Sequence, residues 1–121
     1  MPKKIVVVDD EPDILTVVVF RLKKLGHQVL SAVTGKEAIA LIKAQKPDLV
    51  ILDYRLPDMN GLDISRAVRE DPALRKTPII LLSASSGGEI TVEAYKSASI
   101  SDYIKKPFDP EELLACVKKY L

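Results

Sequence analysis

The sequence has little of what builds disulfide frameworks, histidine sites or membrane spans. Cys116 is the one cysteine and His27 the one histidine, so neither an internal disulfide nor a site made of several histidines can form. The longest apolar runs, residues 38–42 and 113–117, hold five residues each, far fewer than the roughly 20 that cross a bilayer. The N-terminal segment lacks the features of a secretory signal. These absences favour a cytoplasmic protein with no membrane span and no membrane partner.

Net charge is also nearly absent. The 18 Lys and Arg residues almost balance the 17 Asp and Glu residues, which leaves a formal charge of +1. This balance argues against direct binding of nucleic acid or of an anionic membrane surface. With 121 residues, 47% of them hydrophobic and 29% charged, the chain has the composition of a globular protein and the length of a single domain, residues 1–121.

Apolar runs and helical segments alternate along the chain. Three short runs of Val, Ile and Leu without polar alternation predict central strands buried on both faces, and two more polar segments predict edge strands. The five predicted strands are residues 5–8, 28–32, 49–52, 79–82 and 102–105. The five predicted helices are residues 12–25, 36–45, 62–70, 89–98 and 110–120. Strict alternation with right-handed connections predicts an α/β fold, a (βα)5 three-layer sandwich built on a five-stranded parallel sheet.

Local patterns predict helix ends and helix faces. Thr34 and Glu37 have the spacing of a capping box, and Asp109 precedes a proline that suits the first turn of a helix. In the first helix Phe20 points nearly opposite to the apolar stripe, so we expect it to be exposed. The stripe residues are Ile14, Val18, Leu22 and Leu25.

Reactive side chains fall where the predicted strands end. Asp9 and Asp10 follow the first strand, Asp53 the third, Ser83 the fourth and Lys106 the fifth. The carboxyl ends of parallel strands meet at one edge of a sheet, and ligands of such folds bind there. Three converging carboxylates repel one another unless protons or a cation compensate. We therefore expect these side chains to form one site that holds a cation.

The chemistry of this set favours Mg²⁺ and a phosphoryl group. All-oxygen ligands suit a hard divalent cation, and Mg²⁺ often lies beside phosphate. Together with such an ion, the three aspartates and Lys106 are formally neutral. Phosphoryl transfer needs mainly positioning and neutralisation of the phosphoryl oxygens. The pattern predicts Asp53 as the nucleophile, Lys106 and Ser83 as the groups that hold the phosphoryl oxygens, and Asp9 and Asp10 as metal ligands.

The order of these motifs resembles that of a known family. The motifs are Asp9-Asp10, Asp53 with Pro57 and Gly61, Ser83-Ala84, and Tyr103 with Lys106-Pro107-Phe108. Across the whole chain they resemble the receiver domain of bacterial two-component response regulators. The resemblance implies a flavodoxin-like fold with the sheet order 2-1-3-4-5. It also implies a signalling phosphoacceptor that catalyses only its own phosphotransfer and autodephosphorylation, and not an enzyme acting on a separate substrate.

The resemblance assigns further roles within the site. Asp53 would be phosphorylated by the phosphohistidine of a sensor histidine kinase or of a histidine phosphotransfer protein. Mg²⁺ would be held directly by Asp10, Asp53 and the backbone carbonyl of Arg55, and by Asp9 either directly or through water. The bond between Lys106 and Pro107 resembles one that is cis in the family.

The resemblance also implies a switch. Ser83 would move to bond the phosphoryl group, and Tyr103 would rotate inward and change the surface of the fourth helix, fifth strand and fifth helix that an output protein binds. One departure from the family lies before the fifth strand, where Ser99-Ile100 replaces the usual Gly-Ala pair and puts the close approach of the fourth helix in question. Because the sequence stops after the fifth helix, we expect a stand-alone regulator that acts by protein contact; a receiver cut from a longer kinase or transcription factor is the alternative.

Three other functions remain open. A receiver-like interaction module that is never phosphorylated usually lacks the acceptor or metal acids, and none is missing here. A flavodoxin-like cofactor binder requires a phosphate-binding loop after the first strand. At that place this sequence has Asp9, Asp10 and Glu11, which would repel phosphate. A haloacid-dehalogenase-type hydrolase normally carries Asp-x-Asp at its first strand end, which this sequence does not.

Overall fold

A parallel five-stranded sheet lies at the centre of the fold. The computed structural model describes residues 2–83 and 92–121. The strands are β1 (Lys4–Val8), β2 (Gln28–Ala32), β3 (Leu49–Asp53), β4 (Ile79–Ser83) and β5 (Asp102–Lys105). They pair in the order β2-β1-β3-β4-β5, and every pairing is parallel. The predicted strand set and sheet order are therefore confirmed.

Helices connect the strands and cover both faces of the sheet. They are α1 (Pro12–Lys24), α2 (Gly35–Gln45), α3 (Gly61–Arg69), α4 (Val92–Ala98) and α5 (Pro110–Tyr120). A short 3₁₀ turn at Pro72–Leu74, which the sequence pattern did not predict, precedes β4. The predicted start of the fourth helix at residue 89 and the motif position Ala84 lie outside the described residues. No helix in the described ranges combines the length and the apolar character that crossing a bilayer requires.

The core has two halves, one on each face of the sheet. All five residues of β3 and of β4 are buried, as continuous apolar runs predict for central parallel strands. One half packs β-strand side chains against α2, α3 and α4, and includes Val6, Leu52, Leu81, Ile42, Ile64 and Ala98. The other half packs against α1 and α5, and includes Val7, Ile51, Leu82, Leu22, Leu113 and Cys116. The three-layer arrangement is confirmed.

The exposed face of α1 matches the prediction except at its end. Phe20 is 62% exposed, as predicted, and Val18 and Leu22 are buried. Leu25 was expected in the buried stripe, and this was wrong, because its side chain is 48% exposed. The helix ends at Lys24, so Leu25 is the C-terminal cap and the chain turns away at Gly26, whose φ is +92°. A glycine suits this positive φ because it has no side chain to clash.

Two predicted helix caps are present, one with a changed partner. The Thr34 hydroxyl accepts a hydrogen bond from the Glu37 N–H at 3.1 Å. The Glu37 carboxylate, however, accepts from the Val33 N–H at 2.9 Å and not from the cap residue itself, so the return bond reaches one residue further than in a standard capping box. The Asp109 carboxylate accepts from the Glu111 N–H at 3.1 Å.

The junction between α4 and β5 keeps close packing without the usual glycine. Ser99 adopts a left-handed conformation with φ of 56°, which costs a residue with a side chain more than it costs glycine. Side chains of α3 hold this junction, because the Ser65 hydroxyl donates to the Ala98 carbonyl and Arg69 donates to the Ser99 carbonyl at 2.8 Å. Ala98 is fully buried and Ile100 packs against the core. Contacts with α3 thus hold the end of α4 against the core.

Candidate functional site

The register of the central strands brings the predicted site residues to one edge of the sheet. Asp53, the last residue of β3, pairs with Leu82, and Ser83, the last residue of β4, pairs with Lys105. Backbone hydrogen bonds extend this order past the strand ends, because the Lys106 N–H donates to the Ser83 carbonyl at 2.7 Å. Parallel pairing thus places the carboxyl ends of β1, β3, β4 and β5 side by side.

Three aspartates converge at this edge. Asp9, Asp10 and Asp53 each offer one carboxylate oxygen, and these oxygens lie within 4.8 Å of one another. Asp9 is fully buried and Asp53 is only 4% exposed, whereas Asp10 is exposed. An all-oxygen set with one solvent-facing member suits a hard cation that keeps part of its water, as Mg²⁺ does. The donor set therefore fits the ion that the sequence predicted.

Lys106 places a positive charge beside these acids. Its Nζ lies 2.8 Å from Glu11 Oε1, 3.1 Å from Asp9 Oδ2 and 3.3 Å from Asp53 Oδ1, and the Lys106 side chain is only 8% exposed. Its bond to Pro107 is cis, as the resemblance implied. A buried ammonium group needs such partners, because burial without them is costly.

Glu11 belongs to this network, although the sequence reasoning did not include it. It makes the shortest of the three contacts to Lys106, and its N–H donates to Asp9 Oδ1 at 2.9 Å. The only signal in the sequence was a third acid directly after Asp9-Asp10. Whether that acid turns toward solvent or toward Lys106 depends on the turn into α1, which the pattern does not specify.

Burial and charge shift the pKa values of the two central groups. Burial, followed by the charge of Asp9, raises the pKa of Asp53 from 3.8 to about 6, although Lys106 lowers it in part. Burial lowers the pKa of Lys106, but Glu11, Asp53 and Asp9 outweigh this effect and raise it to about 12. Near neutral pH Lys106 is therefore charged and Asp53 is mainly ionised.

The other predicted residues lie around this network. Ser83 is buried at the end of β4, next to the strand that carries Asp53. Arg55 lies in the loop after β3, where it forms a backbone bridge with Asn60. Tyr103 lies on edge strand β5 and is 38% exposed.

The loop after β3 is tied at both ends. The Gly61 N–H donates to the Tyr54 carbonyl at 2.7 Å, and the Asn60 side chain caps α3 by accepting from the Asp63 N–H at 2.9 Å. Asp58, which the sequence reasoning did not single out, accepts from the N–H groups of Gly35 and Lys36 at 2.7 and 2.9 Å. These bonds lower the pKa of Asp58. The loop that carries Arg55 is thus fixed to the start of α2.

Gly61 sets the distance between this loop and Asp53, and its replacement tests that role. A Cβ on Gly61 would lie 2.7 Å from the Asp53 carbonyl oxygen and 2.7 Å from Leu81 Cδ1. Because the first of these is backbone that cannot move aside, we expect Gly61→Ala to lower the free energy of unfolding by about 1–3 kcal/mol. Urea unfolding followed by circular dichroism measures the change.

Gly35→Ala is the matched control for this prediction. A Cβ there would meet chiefly the flexible side chain of Met59, and alanine favours a helix more than glycine does. We expect a loss smaller than that of Gly61→Ala. Equal losses in the two variants would contradict the idea that contact with the Asp53 backbone makes Gly61 necessary.

Comparison with known proteins decides the family. The sequence pattern of the family described as response regulator receiver domain matches residues 5–118. The chain belongs to this receiver family. The receiver domain is similar to the chemotaxis response regulator CheY4 of Vibrio cholerae, with 30% identity over 100% of both chains and a TM-score of 0.92. Because the match spans the complete site, the resemblance stated from the motifs is confirmed.

Two other receiver structures are similar over almost their whole length. The BeF3-activated receiver domain of DrrB is 38% identical over 99% of this chain and 97% of that chain, with a TM-score of 0.85. The receiver domain of the sensor histidine kinase PA1611 from Pseudomonas aeruginosa PAO1 is 30% identical over 99% and 98% of the two chains, with a TM-score of 0.87. That structure has a magnesium ion coordinated in its active-site cleft.

Proposed function

We propose that this receiver domain is a phosphorelay response regulator in which Asp53 accepts a phosphoryl group in a Mg²⁺-dependent reaction. The donor is the phosphohistidine of a sensor histidine kinase or of a histidine phosphotransfer protein. One observation carries the proposal: the Asp53 carboxylate lies within 4.8 Å of oxygens from Asp9 and Asp10 and 3.3 Å from Lys106 Nζ. The magnesium in the cleft of the similar kinase receiver supports the choice of ion.

The transfer uses the Asp53 carboxylate as a nucleophile. An Asp53 oxygen forms a bond to phosphorus, the phosphorus–nitrogen bond of the donor breaks, and the electron pair returns to the imidazole nitrogen. Attack of water on phosphorus later releases inorganic phosphate and restores the carboxylate. Because its pKa is about 6, Asp53 is mainly ionised near neutral pH. The protein acts on its own side chain and not on a separate substrate.

The remaining site residues stabilise the transferred group. Bound Mg²⁺ supplies neutralisation of the phosphoryl oxygens, and Asp9, Asp10, Asp53 and the Arg55 carbonyl are the groups that would hold it. Lys106 keeps a positive charge beside the acceptor because its pKa is about 12. Ser83, buried at the end of the adjacent strand, supplies a hydroxyl that can donate to a phosphoryl oxygen.

The output side of the proposal is a change of surface. A phosphoryl group on Asp53 adds negative charge and acceptor oxygens beside Ser83, which biases the site between two arrangements. Tyr103, exposed on β5, would follow Ser83 inward and alter the surface of α4, β5 and α5 that an output protein binds. Since the phosphodonors belong to the cytoplasmic side of two-component signalling, the proposal includes a cytoplasmic location.

Chemical phosphorylation tests the acceptor function without a cognate kinase. The receiver domain is incubated with acetyl phosphate, with Mg²⁺ or with EDTA, and its intact mass is measured. We expect one added phosphoryl group with Mg²⁺ and little or none with EDTA, because the acids must be neutralised before an anion can approach. Labelling that does not need the metal would contradict the proposed site. Absence of labelling, both with acetyl phosphate and with phosphoramidate as a second donor, would favour an interaction module that is never phosphorylated.

A further inference from the structure

Three carboxylates surround the Lys106 ammonium group, which donates hydrogen bonds to Glu11 and Asp9 and forms an ion pair with Asp53. An ammonium group carries three donors and no acceptor, and its Nζ contacts Glu11 at 2.8 Å, Asp9 at 3.1 Å and Asp53 at 3.3 Å. A phosphoryl group on Asp53 would compete with these carboxylates for Lys106, and the partner that is easiest to move would give way first. The structure indicates which partner that is.

The three partners differ in how easily they can leave. Asp9 is fully buried and also accepts a hydrogen bond from the Glu11 N–H at 2.9 Å. Moving Asp9 away from Lys106 would therefore leave a buried charge without its partner. Asp53 carries the phosphoryl group itself. The Glu11 side chain is 56% exposed and can turn into water at small cost.

Glu11 also has no competing structural task in its helix. It stands at the N-terminal cap of α1, where its side chain makes no capping hydrogen bond. Residues with short polar side chains are preferred at this position because they satisfy the free N–H groups. The described contact of the Glu11 carboxylate is with Lys106, 95 residues away in the chain.

We propose that Glu11 is a gating residue, which holds Lys106 by an ion pair in the unphosphorylated receiver and gives way when a phosphoryl group arrives. This inference rests on the proposed function of Asp53. Glu11 acts through Lys106, so it is a positioning residue and not a catalytic one. In the absence of phosphate its negative charge holds the ammonium group in place. Against an incoming phosphoryl group the same charge competes for Lys106 and repels the phosphoryl oxygens.

This dual role predicts that removing the charge of Glu11 changes the binding affinities for two ligands in opposite directions. Removing the charge of Glu11 makes the electrostatic potential at the site less negative, so Mg²⁺ alone should bind more weakly. The same change weakens the contact that holds Lys106 and removes repulsion, so a tetrahedral phosphoryl mimic should bind more tightly. A purely structural role would weaken both, because a damaged site binds every ligand less well.

The test compares Glu11→Gln with Asp13→Asn by calorimetry. Both substitutions remove one negative charge, but Asp13 lies exposed in the first turn of α1, and no ion pair among the described residues joins it to Lys106. Mg²⁺ is titrated first, and beryllofluoride is then titrated at saturating Mg²⁺. For Glu11→Gln we expect beryllofluoride affinity to rise about three- to tenfold and Mg²⁺ affinity to fall about two- to threefold. For Asp13→Asn we expect beryllofluoride affinity within about twofold of wild type.

The outcomes separate this inference from the proposed function. If the wild-type receiver binds beryllofluoride and Glu11→Gln binds it equally or more weakly, the gating role is wrong while the acceptor role stands. If both variants gain equally, net charge alone explains the gain and the contact with Lys106 has no special part. If wild type does not bind beryllofluoride at all, the proposed function itself fails.

Discussion

Asp53→Asn is expected to abolish phosphorylation by acetyl phosphate and also to stabilise the metal-free protein near neutral pH by about 2–3 kcal/mol. The first effect follows because an amide has no ionised oxygen with which to attack phosphorus. The second follows because Asp53 is only 4% exposed and lies beside fully buried Asp9. Asparagine keeps the size of the side chain and removes the charge that burial and Asp9 oppose.

The stabilising effect should depend on pH in a defined direction. The pKa of Asp53 is about 6 in the folded protein, whereas the ordinary pKa of an aspartate, which applies to the unfolded chain, is 3.8. Below 3.8 the carboxyl group is protonated in both states, so wild type and variant should be similar there. As pH rises from 3.8 to about 6 the unfolded chain ionises first, wild type loses stability, and the difference grows to its full size.

Unfolding in urea with EDTA at a series of pH values measures this difference. Asp13→Asn, which removes an exposed acid from α1, controls for the change in net charge and should differ little from wild type. Adding Mg²⁺ should reduce the advantage of Asp53→Asn, because the ion stabilises the wild-type carboxylates. A difference that stays constant across the pH range would show that the Asp53 carboxylate is not strained by burial.

Lys106→Met is expected to lower the free energy of unfolding of the metal-free protein by about 3–5 kcal/mol near neutral pH. Methionine has similar length and no charge, so the substitution removes the cation and leaves its partners. Asp9 is fully buried and would lose the ammonium group that lies 3.1 Å away. Breaking a buried ion pair costs more than its net contribution, because the remaining charge is left uncompensated.

The neighbouring lysine offers a matched control. Lys105→Met changes the same side chain one residue earlier, where it is exposed on β5, and we expect a change within about 0.5 kcal/mol. Mg²⁺ should raise the melting temperature of Lys106→Met by more than that of wild type, since the ion replaces the missing positive charge. If the two methionine variants are equally stable, Lys106 does not balance the acidic cluster.

Regular features of the sequence allowed most of the fold to be predicted. Runs of Val, Ile and Leu without polar alternation are typical of strands that are covered on both faces. As this pattern predicts, β3 and β4 are buried throughout. The helical-wheel pattern of α1 correctly predicted that Phe20 is exposed to solvent. It failed at Leu25, because the helix ends one residue earlier and a helical angle no longer applies beyond its end.

The site was predictable where it depends on strand ends and not where it depends on loops. Acids after β1 and β3 must meet at one edge once the sheet is parallel, and their oxygens do lie within 4.8 Å. Asp58 was not predicted, because its hydrogen bonds to the start of α2 span a distance of 22 and 23 residues in the chain. No short-range pattern records such a contact.

Local sequence patterns are sufficient to specify the alternation of strands and helices, the buried strands and the residues at the strand ends. Hydrophobic periodicity and helix caps are local, so the order of residues is sufficient to specify them. Three properties of the site could be seen only in the folded protein: Glu11 contacts Lys106, Asp9 is buried while Asp10 is exposed, and the pKa of Asp53 is raised. Those properties depend on burial and on distances between charges from different strands, and these exist only once the chain has folded.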